Sequence, residues 1–97
     1  MLLQEKALPI SPPVAAACEF LGLDPLYVAN EGKVVAICHE RDAKILLSTM
    51  RDHPLGEQAA IVGTVHEDPH NFVQMATALG GTRIVDWLTG DQLPRIC

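Results

Sequence analysis

Phe72-Val73-Gln74-Met75-Ala76-Thr77-Ala78-Leu79-Gly80-Gly81-Thr82-Arg83-Ile84-Val85-Asp86-Trp87 is the stretch whose reading decides the fold. Two short runs of strand-forming residues flank a Leu79-Gly80-Gly81 centre, and paired glycines accept the positive φ of a tight hairpin turn. The stretch reads as an antiparallel hairpin over residues 72–77 and 82–87. Upstream, residues 59–66 read as a further strand. Before them comes a helix over residues 40–53, with an apolar stripe of Ala43, Leu46, Leu47 and Met50 and acidic Glu40 and Asp42 in its first turn. Pro54 stops it, and Leu55-Gly56 turns the chain.

Further back, residues 33–39 form an apolar run without alternation, which reads as a strand buried on both faces. Asn30-Glu31-Gly32 is a tight turn joining it to a strand over residues 26–29, itself preceded by a Leu23-Asp24-Pro25 turn. The first helix opens at Ser11 as N-cap with Pro12 at the first helical position. Val14, Ala17, Cys18 and Leu21 recur at helical spacing, and Gly22 closes the helix in a left-handed conformation. Residues 1–10 read as an extended entry segment. After the hairpin, Gly90 and Pro94 keep residues 88–97 irregular. Hairpins interleaved with helices give an α+β class, with helices packed on a mixed or largely antiparallel sheet.

Composition narrows the function. The net charge is −5, and the seven Lys and Arg do not cluster, so no footprint for a nucleic-acid backbone is expected. No apolar run approaches a membrane span, and no secretory signal opens the chain. Hydrophobic residues make up 48% of 97 positions, an apolar content that implies a surface covered by another domain or subunit. Three Cys without framework spacing point to a reducing cytoplasm rather than a disulfide scaffold. Cys18 and Cys38 sit in apolar patterns and read as small buried hydrophobes. Cys97 does not: it is the last residue, and a thiol there reads as a nucleophile on a mobile arm that serves a remote site.

A family resemblance is carried by Ala17-Cys18-Glu19-Phe20-Leu21-Gly22-Leu23-Asp24-Pro25-Leu26-Tyr27-Val28-Ala29-Asn30-Glu31-Gly32. It continues through His53-Pro54 before Gly56, Ala60-Ile61-Val62-Gly63 before Val65, Gly80-Gly81-Thr82-Arg83-Ile84-Val85-Asp86, and Gln92-Leu93-Pro94-Arg95-Ile96-Cys97. Over nearly its whole length the chain resembles the HypE family of hydrogenase-maturation carbamoyl dehydratases. The Asn-Glu-Gly turn is shared more widely, with aminoimidazole ribonucleotide synthetases and selenophosphate synthetases. The Pro-Arg-Ile-Cys ending is far more specific.

The resemblance implies a chemistry. In that family the terminal Cys takes a carbamoyl group from a carbamoyltransferase of the HypF type. ATP then activates the carbamoyl oxygen, and dehydration leaves a thiocyanate. The cyano group passes to iron on a HypC–HypD-type assembly scaffold for [NiFe]-hydrogenase. Cys97 would be the carrier, Pro94, Arg95 and Ile96 would dock it, and Glu31 would lie near the cleft. A homodimer is also implied. The family's amino-terminal domain supplies most of the ATP and Mg²⁺ site, and no P-loop or acidic metal cluster stands here. The expected organisation is therefore a partial carboxy-terminal domain over residues 1–87 and a flexible tail over residues 88–97. It would carry the thiol without the ATP site and be inactive alone. The rival readings are a docking module without chemistry and another ATP-using member of the superfamily.

The remaining candidates have plainer readings. Glu31 is also an ordinary turn residue. His66 and His70 have a zinc-like spacing, but Asp68-Pro69 breaks any helix between them and no Cys pair accompanies them, so no metal is expected. Gly80-Gly81 is a turn before it is a phosphate cradle. Arg83 and Asp86 lie on opposite faces of a strand, with Arg83 a solvated edge charge. Trp87 anchors the base of the tail. His39 stands at a strand end, and His53 favours a helix C-terminal dipole.

Overall fold

The computed structural model describes residues 1–86. The expectations placed on Trp87 and on the tail, including Pro94, Arg95, Ile96 and Cys97, lie outside the described residues. The described chain divides into two compact units, one of Met1–Pro9 with Ile37–Asp86, the other from residue 10 to residue 36.

The first unit holds a mixed four-stranded sheet of β1 (Leu2–Gln4), β2 (Gly63–Thr64), β3 (Gln74–Ala76) and β4 (Thr82–Ile84), in the order β2-β1-β3-β4. β1 runs antiparallel to β2, with Leu2 opposite Thr64, and parallel to β3, with Leu3 opposite Met75. β3 and β4 form the antiparallel hairpin read from the sequence, with Met75 opposite Arg83. The turn is built as the glycine pair requires: Gly80 has φ 97°, and the Thr77 N–H donates to the Gly81 carbonyl at 2.8 Å. Met75, on an inner strand, is buried at 3% exposure. The helix α2 (Ala43–Arg51) follows a 3-10 turn, Glu40–Asp42, and is followed by another, Pro54–Gly56. Its stripe of Ala43, Leu46, Leu47 and Met50 is less exposed than the residues between.

The second unit is built on α1 (Pro12–Leu21). Ser11 is extended with ψ 146°, Pro12 takes the first helical position, and Gly22 ends the helix at φ 68°. The Ser11 hydroxyl makes no capping bond, so it is the backbone conformation that starts the helix. Together these elements are the α+β class with a mixed sheet. No helix among the described residues is long and apolar enough to cross a membrane.

Three expectations are corrected. Residues 26–29 are not a strand: one Asp24 carboxylate oxygen accepts the Leu26 N–H at 2.9 Å, and the Asp24 carbonyl accepts those of Tyr27 and Val28. That Asx-type turn takes the amides a strand would need. Residues 33–39 are not a buried strand either. They join no sheet pairing, and Val34, Val35 and Ile37 are exposed. An apolar run forms a strand only where a neighbour takes its hydrogen bonds. Cys38, on that run, is therefore exposed rather than buried, whereas Cys18 on α1 is buried at 6% exposure as expected.

Candidate functional site

Glu31 lies in the second unit, on a bend between the Asp24 turn and the exposed run. Local backbone chemistry shapes the bend. The Asn30 side-chain amide donates to the Val28 carbonyl at 3.1 Å, and Gly32 takes φ 75°, where a β-carbon is strongly disfavoured. Glu31 itself is exposed. A solvent-facing carboxylate held on a turn can accept a proton or attract a cation, and which it does depends on what approaches it.

The His66–His70 region is organised around Asp68. One oxygen of its carboxylate accepts the Phe72 N–H at 2.6 Å and the other the His70 N–H at 3.5 Å. The Phe72 hydrogen bond above all, then that from His70 and the nearby positive charge, hold the Asp68 carboxyl below the usual range against a push upward from burial. Asn71 turns the chain at φ 55°, and the His70 ring stacks on Phe72 with centroids 5.2 Å apart. His66, Glu67, Asp68, Pro69 and Asn71 line an open depression. Asp68 is thus spent on its own loop, and no group of three or more His, Cys, Asp or Glu among the described residues is placed to hold a metal.

The Gly80-Gly81 turn is similarly committed. The Glu5 carboxylate accepts the Ala78 N–H at 3.1 Å, and the Thr77 hydroxyl oxygen accepts that of Gly81 at 3.1 Å. A phosphate cradle needs open backbone N–H groups and no competing carboxylate, so this turn does not fit an ATP phosphate. Neither it nor the Asp68 loop fits an ATP–Mg²⁺ site. Arg83 is half-buried on β4 rather than a solvated edge charge, with Asp86 beyond the strand.

Sequence reasoning missed the use made of two histidines. α2 ends at Arg51, and His53 stands beyond it with its Nδ1 accepting the Leu55 N–H at 3.1 Å. His39 does the same at the other end, accepting the Arg41 N–H at 3.2 Å. A His followed at once by a short helical turn was the available signal. Glu31, Asp68, the Gly80-Gly81 turn and these caps belong to separate segments of the chain. Cys97 and its three preceding residues lie outside the described part.

Comparison with known proteins places the chain. Residues 3–76 match the family described as AIR synthase related protein, C-terminal domain. The chain is 65% identical over all 97 residues to carbamoyl dehydratase HypE of Azotobacter vinelandii, and spans 28% of that protein's length. Among solved structures it is similar to a HypE in complex with ATP, with TM-score 0.86 and 44% identity, covering 99% of this chain and 30% of that one. It is also similar to a chain of a HypE–HypF complex, with TM-score 0.81 and 40% identity, covering 88% of this chain and 27% of that one. By sequence and by fold, then, this chain belongs to the AIR synthase related protein family, matches its C-terminal domain, and is similar over its whole length to part of the carbamoyl dehydratase HypE.

Proposed function

We propose that this chain is the thiol-bearing part of a HypE-type carbamoyl dehydratase that supplies the cyanide ligands of [NiFe]-hydrogenase. The observation that carries the reading is the 65% identity to a carbamoyl dehydratase across the entire chain, through to Cys97. Cys97 is the acceptor: its sulfur takes a carbamoyl group from a HypF-type transferase. ATP, a substrate here, phosphorylates the carbamoyl oxygen and turns a poor leaving group into a good one. Loss of phosphate and the amide protons leaves carbon triply bonded to nitrogen on sulfur, so S-carbamoyl-Cys and ATP give S-cyano-Cys, ADP and phosphate. Glu31 accepts one N–H proton or steers the tail. Pro94, Arg95 and Ile96 dock the tail at each stop.

Two solved relatives support parts of this reading, one a HypE holding ATP and the other a HypE with HypF. The ATP and Mg²⁺ site is assigned to the rest of the full-length protein, as the family resemblance implies, and the chain alone is inactive. A HypC–HypD-type scaffold receives the cyano group, and the full-length protein works as a cytoplasmic homodimer.

The test uses the full-length protein with carbamoyl phosphate, ATP and the transferase. Mass spectrometry of the terminal peptide should show Cys97 gaining a carbamoyl group and then losing the mass of one water. Deleting residues 95–97 should abolish turnover while leaving partner binding intact. Unchanged turnover after that deletion would overturn the assignment and leave a docking module without chemistry of its own.

A further inference from the structure

Glu31 owes its place to residues that stand before it in the chain. α1 ends at Gly22, and the Leu23 N–H donates back to the carbonyl of the buried Cys18 at 2.8 Å. Asp24 comes next and is half-buried. Pro25 has no N–H to offer, and the Leu26 N–H donates to the Asp24 Oδ1 at 2.9 Å. The Asp24 carbonyl accepts the N–H groups of Tyr27 at 2.9 Å and Val28 at 3.2 Å. The Val28 carbonyl in turn accepts the Asn30 side-chain amide at 3.1 Å, and Gly32 closes the bend at φ 75°. These bonds form a series along the chain, from the end of α1 to the residue before Glu31. Residues 24–36 join no sheet pairing, so no strand ladder holds the segment in place of that series.

A carboxylate that takes a proton must stand within hydrogen-bond reach of it, and a small displacement of a reacting group costs a large factor in rate. Asn30 and Glu31 are both exposed, so packing does not fix them and the backbone beneath them must. We propose, resting on the role given to Glu31 in dehydration, that Asp24 and Asn30 are positioning residues for its carboxylate. Asp24 ties residues 26–28 to the end of α1, and Asn30 ties the bend to residue 28. The two side chains do opposite chemical work. Position 24 supplies an acceptor, which a carboxylate or an amide oxygen provides. Position 30 supplies a donor, which the amide provides and a carboxylate does not. Neither touches the reacting atoms; each acts through Glu31.

Single-turnover mass spectrometry of the full-length protein with the transferase, carbamoyl phosphate and ATP separates the loading of Cys97 from its dehydration. Asp24→Ala should load normally and dehydrate about 10–100-fold more slowly, the scale of a displaced reacting group. Asp24→Asn, whose amide oxygen accepts the Leu26 N–H as the carboxylate does, should restore most of the rate. Asn30→Ala should slow the same step about two- to tenfold, the worth of one hydrogen bond. In a Glu31→Gln background neither alanine substitution should slow it further, because a group that acts through Glu31 has nothing left to position; a merely structural role would multiply in full. Normal dehydration in either alanine variant, no recovery in Asp24→Asn, or full multiplication with Glu31→Gln overturns the proposal and leaves the role of Glu31 standing. Normal dehydration in Glu31→Gln itself removes that role, and the positioning with it. Should Asp24→Ala not fold, as lost loading would show, Asn30→Ala alone and combined with Glu31→Gln decides by the same criteria.

Discussion

Glu31 sits on a bend that its neighbours make: Asn30 through its side-chain bond and Gly32 through its positive φ. Replacing Glu31 should therefore leave the bend standing, which makes the residue a clean probe. In the full-length protein Glu31→Gln should slow dehydration by about 10²–10⁴, the usual worth of a positioned base, with loading of Cys97 unchanged. A mass-spectrometric time course separates the two steps, and an unaltered second step removes Glu31 from proton transfer. Asp68 is the opposite kind of residue, because its carboxylate is the frame of its loop. Its folded pKa is lowered, so its contribution is complete above the unfolded value of about 3.9 and is lost as pH falls through the lower folded one. The loop over residues 68–72 should stay pinned at mildly acidic pH and loosen only below that value. Asp68→Ala should loosen it at every pH, read as faster exchange of the Phe72 amide. Gly63 fails for want of space: a β-carbon there would overlap the Leu2 carbonyl across the β1–β2 pair. Gly63→Ala should lower stability by about 1–3 kcal/mol, as overpacking against backbone does, and the thermal midpoint of the full-length protein reports it.

Elements whose ends are dictated by glycine were legible, whereas those decided by a side-chain hydrogen bond or by a distant partner were not. α1 shows the first kind. Its end is written in Gly22, whose φ of 68° lets the Leu23 N–H reach the Cys18 carbonyl at 2.8 Å. A β-carbon at Gly22 meets nothing within 4 Å, so any loss on substitution is conformational. Gly22→Ala should cost about 1–2 kcal/mol, the penalty of a left-handed L-residue. Gly22→Asn should recover part of it, and denaturant midpoints of the full-length protein rank the three. The hairpin was legible for the same reason, its glycine pair dictating the turn. Residues 26–29 misled because Asp24 outbids the ladder with its own carboxylate and carbonyl. Residues 33–39 misled because apolarity records that a surface is to be covered, not by which neighbour. In the candidate site, the bend at Asn30-Glu31-Gly32 was legible from turn chemistry. The caps at His39 and His53 were hidden, since an imidazole can accept, donate or carry charge and composition does not say which.

At the scale of the molecule, apolar residues outnumber the places that bury them. Among the described residues Cys18 and Met75 are the buried hydrophobics, while Phe20 is 89% exposed and Val35 83%. Burying one such side chain stabilises a fold by about 1.5–3 kcal/mol, so leaving many in water forfeits a large share of what could oppose chain entropy. Many large apolar side chains left in water mark surface that something else covers. The chain spans 28% of the length of a curated relative that it matches from end to end, so the cover is to be sought in the rest of such a protein. The 97 residues expressed by themselves should bind a hydrophobic dye, give a weak near-ultraviolet circular dichroism signal and self-associate. Within the full-length protein, α1 and residues 33–39 should exchange their amides far more slowly than in the isolated chain. The comparison is direct, because both proteins yield the same peptides to hydrogen-exchange mass spectrometry. A monomeric isolated chain with cooperative unfolding and no dye binding would mean that these side chains need no cover. Equal exchange of residues 33–39 in both proteins would mean that the cover lies with a partner rather than with the remainder of the same polypeptide.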